Sequence, residues 1–294
     1  MNFVSNDLTI ILVLYEEKDD LVLKCLENIK NFKIIIIDNA NNLNLKIKIE
    51  KYFHIEKYVL NRKNLGFTKA ANQAIKFCQT NYILNINADC DIKEKDIFEL
   101  INSHKKYKEC FITSPTFYSD DSRQSYNAGL FDEKNNTNET LIIEGDVCVD
   151  KVLGSAILFK KSDIEKVNYL DDNFFMYFED DDLCKKAKQN KMSVIQIFNS
   201  KAQHLHGQIK VKNIFKRTFI RNYHFTYDQL YYYYKLNKNN EKYLILKKKL
   251  KNYFFKMIFN FIIFRFNKSI YFFAIIKAFY DFKQLVKKIE KGII

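Results

Sequence analysis

The chain reads as an α/β protein built on a mostly parallel sheet flanked by helices. Three observations carry this. Short apolar, β-branched runs alternate with amphipathic stretches from residue 9 to about residue 104. The runs are apolar throughout, the pattern of strands buried on both faces. Two of them stop at polar residues, Asp38-Asn39 and Asn87-Ala88-Asp89. In open sheets of this kind, ligands gather beyond the carboxyl ends of the strands.

The elements follow in order. Thr9 to Leu14 is a buried strand, and Asp19 or Asp20 can cap a helix with Val22, Cys25, Leu26 and Ile29 on one face. Ile34 to Ile37 is the second strand, residues 44–52 are weakly helical, and Ile55 to Leu60 is a third strand. Thr68 can cap a helix that carries Ala71, Ala74, Ile75 and Cys78. Tyr82 to Ile86 is the fourth strand, and a helix spans about Lys93 to His104. Residues 115–150 are polar and resist assignment, with a loop at Asn135 to Asn138. Leu153 to Phe159 is strand-like, Glu179 to Gln189 helical, and Met192 to Phe198 a last short strand before His204.

The 294 residues, 47% hydrophobic, suffice for one large domain or two small ones. With 6 Gly and 1 Pro there is no linker-like stretch. Leu8 to Tyr15 is too short and lacks the flanks of a signal peptide. Six cysteines without a CxxC pair argue against a structural zinc site or a disulfide framework, and for a reducing compartment. The net charge of +13 is uneven: from Lys210 to Ile294 there are 20 Lys and Arg against 4 Asp and Glu, whereas residues 1–209 hold 28 against 31. That asymmetry points to an anionic partner for the last third.

Several segments occur in a telling order: Val13-Leu14-Tyr15-Glu16, Ile36-Ile37-Asp38-Asn39-Ala40, Asn64-Leu65-Gly66-Phe67, Asn72, Leu84 to Asp89, Gly154-Ser155-Ala156, Phe174 to Cys184, and His204. Together they resemble glycosyltransferase family 2, the inverting nucleotide-sugar enzymes, and especially its rhamnosyltransferase-like branch. The resemblance covers about residues 8–225. It implies a Rossmann-like nucleotide-diphospho-sugar transferase fold of GT-A type, here with a basic helical C-terminal extension. The charge break at Lys210 divides the chain into a catalytic domain at 1–209 and a basic aromatic helical region at 210–294.

The resemblance also implies roles. Val13, Tyr15, Asp38, Asn64, Gly66, Asn72 and Asn87 would line the donor site, with Asp38 accepting from the pyrimidine base. A turn at Asp38-Asn39 and a plain loop at Asn64 to Phe67 are the alternatives. The family's Asp-x-Asp, or Asn-Pro-Asp in this branch, is Asn87-Ala88-Asp89 here, which leaves Asp89 as the strong carboxylate and Asp91 as a second candidate ligand. A hard divalent cation, Mn2+ or Mg2+, held there would neutralise a diphosphate leaving group. The alternative is that both aspartates cap the next helix. His204 or His206 would complete the site, and a histidine ligand favours manganese. In the run Glu179-Asp180-Asp181-Asp182, the alignment makes Asp180 the base, with Glu179 and Asp182 orienting neighbours or acceptor. A solvated, dipole-favoured helix start is the alternative.

The expected function is transfer of rhamnose or another hexose from a dTDP-, UDP- or GDP-linked donor to a glycan or lipid-linked acceptor in cell-surface polysaccharide synthesis. The alternative is a non-catalytic, membrane-associated scaffold with a decayed transferase domain. In the tail, Lys clusters alternate with Phe, Tyr and Ile, and no uncharged run is long enough to span a bilayer. This suits helices lying on an anionic membrane surface, so the expected location is cytoplasmic, peripheral on the inner face of the cell membrane. Helices packed on the catalytic domain are the alternative. No nucleic-acid module is present, and no nucleic-acid partner is expected.

Overall fold

The computed structural model describes residues 7–119, 124, 128–129, 143–205, 213–236 and 241–292. The first half alternates β1 (Leu8–Leu14), α1 (Asp19–Ile29), β2 (Lys33–Asp38), α2 (Leu43–Tyr52), β3 (Lys57–Leu60), α3 (Phe67–Phe77) and β4 (Tyr82–Ile86). Then come β5 (Cys90–Ile92), α4 (Glu94–Lys106), β6 (Cys110–Tyr118), β7 (Ala128–Gly129), β8 (Val147–Cys148), β9 (Lys151–Val152), β10 (Ala156–Lys160) and α5 (Lys161–Lys166). The last elements are α6 (Glu179–Gln189), β11 (Ser193–His204), α7 (Ile214–Leu236), α8 (Glu241–Ile262) and α9 (Phe266–Glu290).

The main sheet runs β3-β2-β1-β4-β10-β6-β11-β5, with β8 beside β11. Strands β1 to β4 are parallel. β10 is antiparallel to both β4 and β6, so the sheet is mixed beyond β4. Alternate strand residues feed two cores. Ile10, Leu12, Ile34 and Ile36 face α1 and α4. Ile11, Ile35, Ile37 and Ile83 face α3 and α6. Burial on both sides is why these strands read as unbroken apolar runs.

Four sequence expectations change. β6 lies in and before the stretch that resisted assignment, because its hydroxyl residues are buried rather than exposed. Ser114 donates to the Ala156 carbonyl at 3.0 Å and Thr116 to that of Ile197 at 2.9 Å. β11 runs through to His204, with its register on β6 broken between Ile197 and Lys201. Neither Asp19 nor Asp20 caps α1: Lys18 is the cap residue, and both aspartates sit in the first turn, where the helix dipole favours them. Thr68 does not cap α3 either. Gly66 is the cap residue at φ +85°, a backbone that favours glycine, and the Thr68 hydroxyl is buried without a hydrogen-bond partner.

The chain forms two compact units, Met1–Asp172 with Glu179–Lys210, and Asn173–Phe178 with Val211–Ile294. The second unit is three helices, α7 to α9, around Phe174, Leu230, Tyr232, Phe279 and Phe282. Five of the six cysteines are buried, Cys148 is exposed, and all are free thiols.

Candidate active site

The carboxyl ends of β1, β2 and β3 carry a polar cluster. Asp38, 1% exposed, accepts from the Ala40 amide at 2.7 Å, the Asn42 amide at 3.1 Å and the Tyr58 hydroxyl at 3.2 Å. Its carboxylate therefore braces the loop into α2. Beside it, the Asn39 amide group donates to the Gly66 carbonyl and its oxygen accepts from Asn61, both at 2.9 Å. Asn64 accepts from the Gly66 amide at 2.8 Å. These contacts fix the 61–66 turn against the sheet edge. Val13 and Tyr15 are half-buried at the end of β1, and the Tyr15 amide donates to Glu17.

Glu17 was not legible in the sequence. Burial pushes its carboxyl up to about 7, with Asp89 and Asp38 adding to the rise. Three carboxylates from three strand ends thus share one field. Tyr58, also unanticipated, has its hydroxyl's proton affinity raised by burial and by Asp38.

Asn72 has a separate set of partners. Its amide donates to the Leu170 carbonyl at 2.9 Å and to Asp172 at 2.7 Å, and its oxygen accepts from the Leu170 amide at 3.1 Å. It ties α3 to the segment that precedes the acidic run.

At the end of β4, the Asn87 amide donates to the Ser155 carbonyl at 2.9 Å, and the Asn87 carbonyl accepts from Cys90 at 3.0 Å. This turn leads into β5, and β5 pairs with β11 so that His204 lies opposite Cys90. That pairing brings His204 Nε2 to 3.1 Å from Asp89 Oδ1, with side chains 14% and 19% exposed. An imidazole and a carboxylate sharing one partly buried point form a donor set that fits a divalent cation. Asp91 is engaged differently. Lys24 and Lys93 bind it at 2.9 and 2.8 Å, and Asn28 donates to it at 3.0 Å. Burial raises its proton affinity, but the two ammonium groups outweigh that and leave its pKa below the ordinary value. His206 lies outside the described residues. Among the described residues, no group of three or more His, Cys, Asp or Glu side chains could hold a metal by protein atoms alone.

The acidic run opens α6. Asp180 Oδ2 accepts from the Gly154 amide and Oδ1 from the Asp181 amide, both at 2.9 Å. Burial raises the Asp180 pKa from its ordinary value, partly offset by those two amides. Burial, and then the charge of Asp180, push Asp181 up to about 7. Glu179 and Asp182 are buried, and Lys186 lies 3.9 Å from Asp182. Asn85, Gly154, Glu179, Asp180, Ile11, Ala71 and Leu170 line one pocket, whose cavity volume of about 10 Å³ is roughly that of a water molecule. Within it, Asn85 Oδ1 is buried and accepts no hydrogen bond.

The family profile described as glycosyl transferase family 2 matches residues 9–167, more than half of the chain. The chain belongs to that family. The expectation of a glycosyltransferase holds. The rhamnosyltransferase WbbL of Escherichia coli (strain K12) is 28% identical over 198 residues, which cover 59% of this chain and 74% of that protein. The low-salt glycan biosynthesis hexosyltransferase Agl10 of Haloferax volcanii is 24% identical over 216 residues, covering 65% of this chain and 64% of that protein. GalNAc-T7, solved with UDP, GalNAc and Mn2+, superposes at a TM-score of 0.56 and 12% identity, over 77% of this chain and 51% of its own. The mannosyltransferase PcManGT of Pyrobaculum calidifontis, solved with GDP-Man and Mn2+, superposes at 0.50 and 13% identity, over 76% and 63%. The chain thus spans about half to three-quarters of the length of these proteins. The GT-A-type fold expected from the sequence is present, with its helical C-terminal extension.

The second unit holds one more residue that sequence reasoning passed over. Asp228, fully buried on α7, accepts from the amides of Phe175, Met176 and Tyr177 at 3.1 to 3.2 Å. It orders the aromatic segment from which the chain continues into Glu179. A lone Asp within an aromatic helix gave no periodic signal.

Proposed function

We propose that this protein is an inverting glycosyltransferase that moves rhamnose or another hexose from a nucleotide-diphosphate sugar to a glycan or lipid-linked acceptor. Asp180 carries the reading. It is anchored by two amides, faces a pocket, and has its proton affinity raised toward that of a useful base. The acceptor oxygen attacks the anomeric carbon from the face opposite the diphosphate. The bond to the diphosphate breaks, its electron pair leaves with the phosphate oxygen, and Asp180 takes the hydroxyl proton. No covalent sugar–enzyme intermediate is needed. Glu179, beside Asp180 in the pocket, orients the acceptor, and Asp182 holds the first turn of α6 through Lys186.

Asp89 and His204 would hold the divalent cation, with diphosphate oxygens and water completing its shell, and imidazole favours manganese over magnesium. When bound, the ion neutralises charge developing on the leaving diphosphate. The donor's nucleotide lies along Val13, Tyr15, Asn87 and the loops braced by Asp38, Asn64 and Gly66. Neighbours solved with UDP or GDP-Man and Mn2+, and relatives named rhamnosyl- and hexosyltransferase, support this choice of chemistry. Catalysis belongs to residues 1–209. Residues 210–294 bind an anionic membrane peripherally, on its inner face, where a lipid-linked acceptor is presented.

Calorimetry with dTDP, UDP and GDP in the presence of Mn2+ tests the donor assignment. Binding of one of them, weakened in Asp89→Ala, is expected. No binding of any at saturation would favour a scaffold over an enzyme.

A further inference from the structure

The turn between α8 and α9 is the least covered apolar surface among the described residues. Every residue from Phe261 to Lys268 is exposed. Phe261, Ile262 and Phe264 are 61%, 65% and 80% exposed, and Phe255 and Phe259 continue the surface along α8 at 58% and 60%. The tip aromatics touch one another: the rings of Phe261 and Phe264 lie 5.5 and 5.9 Å from that of Phe266. Phe264 holds φ +57°, a position where Gly or Asn would be less strained.

The turn itself is firmly built. The Arg265 amide donates to the Asn260 carbonyl at 2.8 Å, and Ser269 donates to that of Met257 at 3.0 Å. The inner face of α9, with Ala274, Ala278 and Phe279, is buried. The outer aromatics are therefore not a core face left open by poor packing. Contiguous exposed apolar surface of this kind marks a contact site.

Charge selects the contact. From Lys242 to Tyr280 there are nine Lys and Arg and no Asp or Glu. Lys256, Arg265 and Lys268 are exposed around the tip. An apolar tip inside a purely cationic collar matches an anionic lipid surface, where aromatics enter the acyl boundary and cations stay with headgroups. A second copy meeting this surface face to face would set like charges against each other, with no Asp or Glu between Lys242 and Tyr280 to answer them. No described helix is long and apolar enough to cross a membrane.

We propose that the α8–α9 turn, led by Phe261, Ile262 and Phe264, inserts into one leaflet of an anionic phospholipid bilayer. This deepens the peripheral-membrane reading given above and rests on it. The basic stretch at Lys247 to Lys251 supplies long-range attraction, and the aromatic tip supplies the anchor.

The chain has no tryptophan, so Phe264→Trp installs a single reporter. With phosphatidylglycerol vesicles its emission is expected to shift to the blue and to be quenched by brominated acyl chains. Tyr52→Trp, on exposed α2, is expected to do neither. In co-sedimentation, the Phe261→Ser/Phe264→Ser double variant, with unchanged circular dichroism, is expected to lose about tenfold or more of its vesicle affinity, since two aromatic side chains no longer leave water. Wild type that sediments with the vesicles while Phe264→Trp shows neither blue shift nor quenching overturns the insertion and leaves peripheral binding standing. Wild type that ignores the vesicles overturns both. A blue shift that appears with protein concentration alone assigns the tip to a second copy of the chain, and overturns the lipid assignment.

Discussion

The amide of Gly154 donates to Asp180 Oδ2 at 2.9 Å, and a methyl group on Gly154 would lie 2.9 Å from that same oxygen. One hydrogen bond and one close approach thus set where the carboxylate stands. Gly154→Ala is expected to fold and to push Asp180 off its position. Steady-state transfer should show kcat down at least about tenfold with donor KM little changed, since misplacing a reacting group costs rate before binding. Unchanged kcat would remove Gly154 from the account.

Asp181 gives a prediction in pH. Its folded pKa of about 7 lies above the ordinary value of about 4 for an unfolded chain. Below about pH 4 both states are protonated and the group contributes nothing. Between about 4 and 7 the unfolded chain releases its proton while the folded one keeps it, so stability falls as pH rises. Above 7 the penalty is complete. Asp181→Asn should therefore raise the unfolding free energy at pH 8 by about 1–2 kcal/mol, allowing for partial exposure, and leave it unchanged at pH 3.5. Chemical denaturation at the two pH values checks this. The repulsion between the two carboxylates is mutual, so the variant's acid limb in kcat/KM should also move to lower pH.

Asn72 separates a brace from a ligand. Its three hydrogen bonds to Leu170 and Asp172 support a bracing role. Asn72→Ala should cost roughly 1–3 kcal/mol of stability, because buried partners are left unmet. Calorimetric donor affinity should change little. A stable variant with donor affinity lost would make Asn72 a direct contact instead.

The two upstream aspartates should behave differently. Asp89→Ala or His204→Ala is expected to weaken Mn2+ activation by an order of magnitude or more, and chelation should abolish wild-type activity. Asp91→Asn should lower stability slightly, by loosening Lys24 and Lys93, and leave the Mn2+ titration in place. A Mn2+ response lost in Asp91→Asn but kept in Asp89→Ala would reverse the assignment.

Much of the first 104 residues was legible because β1, β2 and β4 are buried on both faces and so read as continuous apolar runs. The α6 boundaries were legible from the acidic start and the polar end. β6 was not, because its Thr and Ser residues satisfy their hydroxyls inside the sheet, which composition cannot reveal. The bracing roles of Asp38 and Asn72 depend on partners up to 100 residues away. The Asp89–His204 pair, which the resemblance suggested and the β5–β11 pairing brings together, joins residues 115 apart. Glu17 and Asp228 carried no local pattern, since their environments are made by other elements.

The central claim is that Asp180 is the base of a sugar transfer. The most direct measurement is transfer from the best-bound nucleotide sugar in saturating Mn2+, comparing wild type with Asp180→Asn, alongside calorimetric donor affinity for both. The account predicts that Asp180→Asn binds donor as wild type does and loses transfer by about a hundredfold or more. Transfer at the wild-type rate by Asp180→Asn would contradict it.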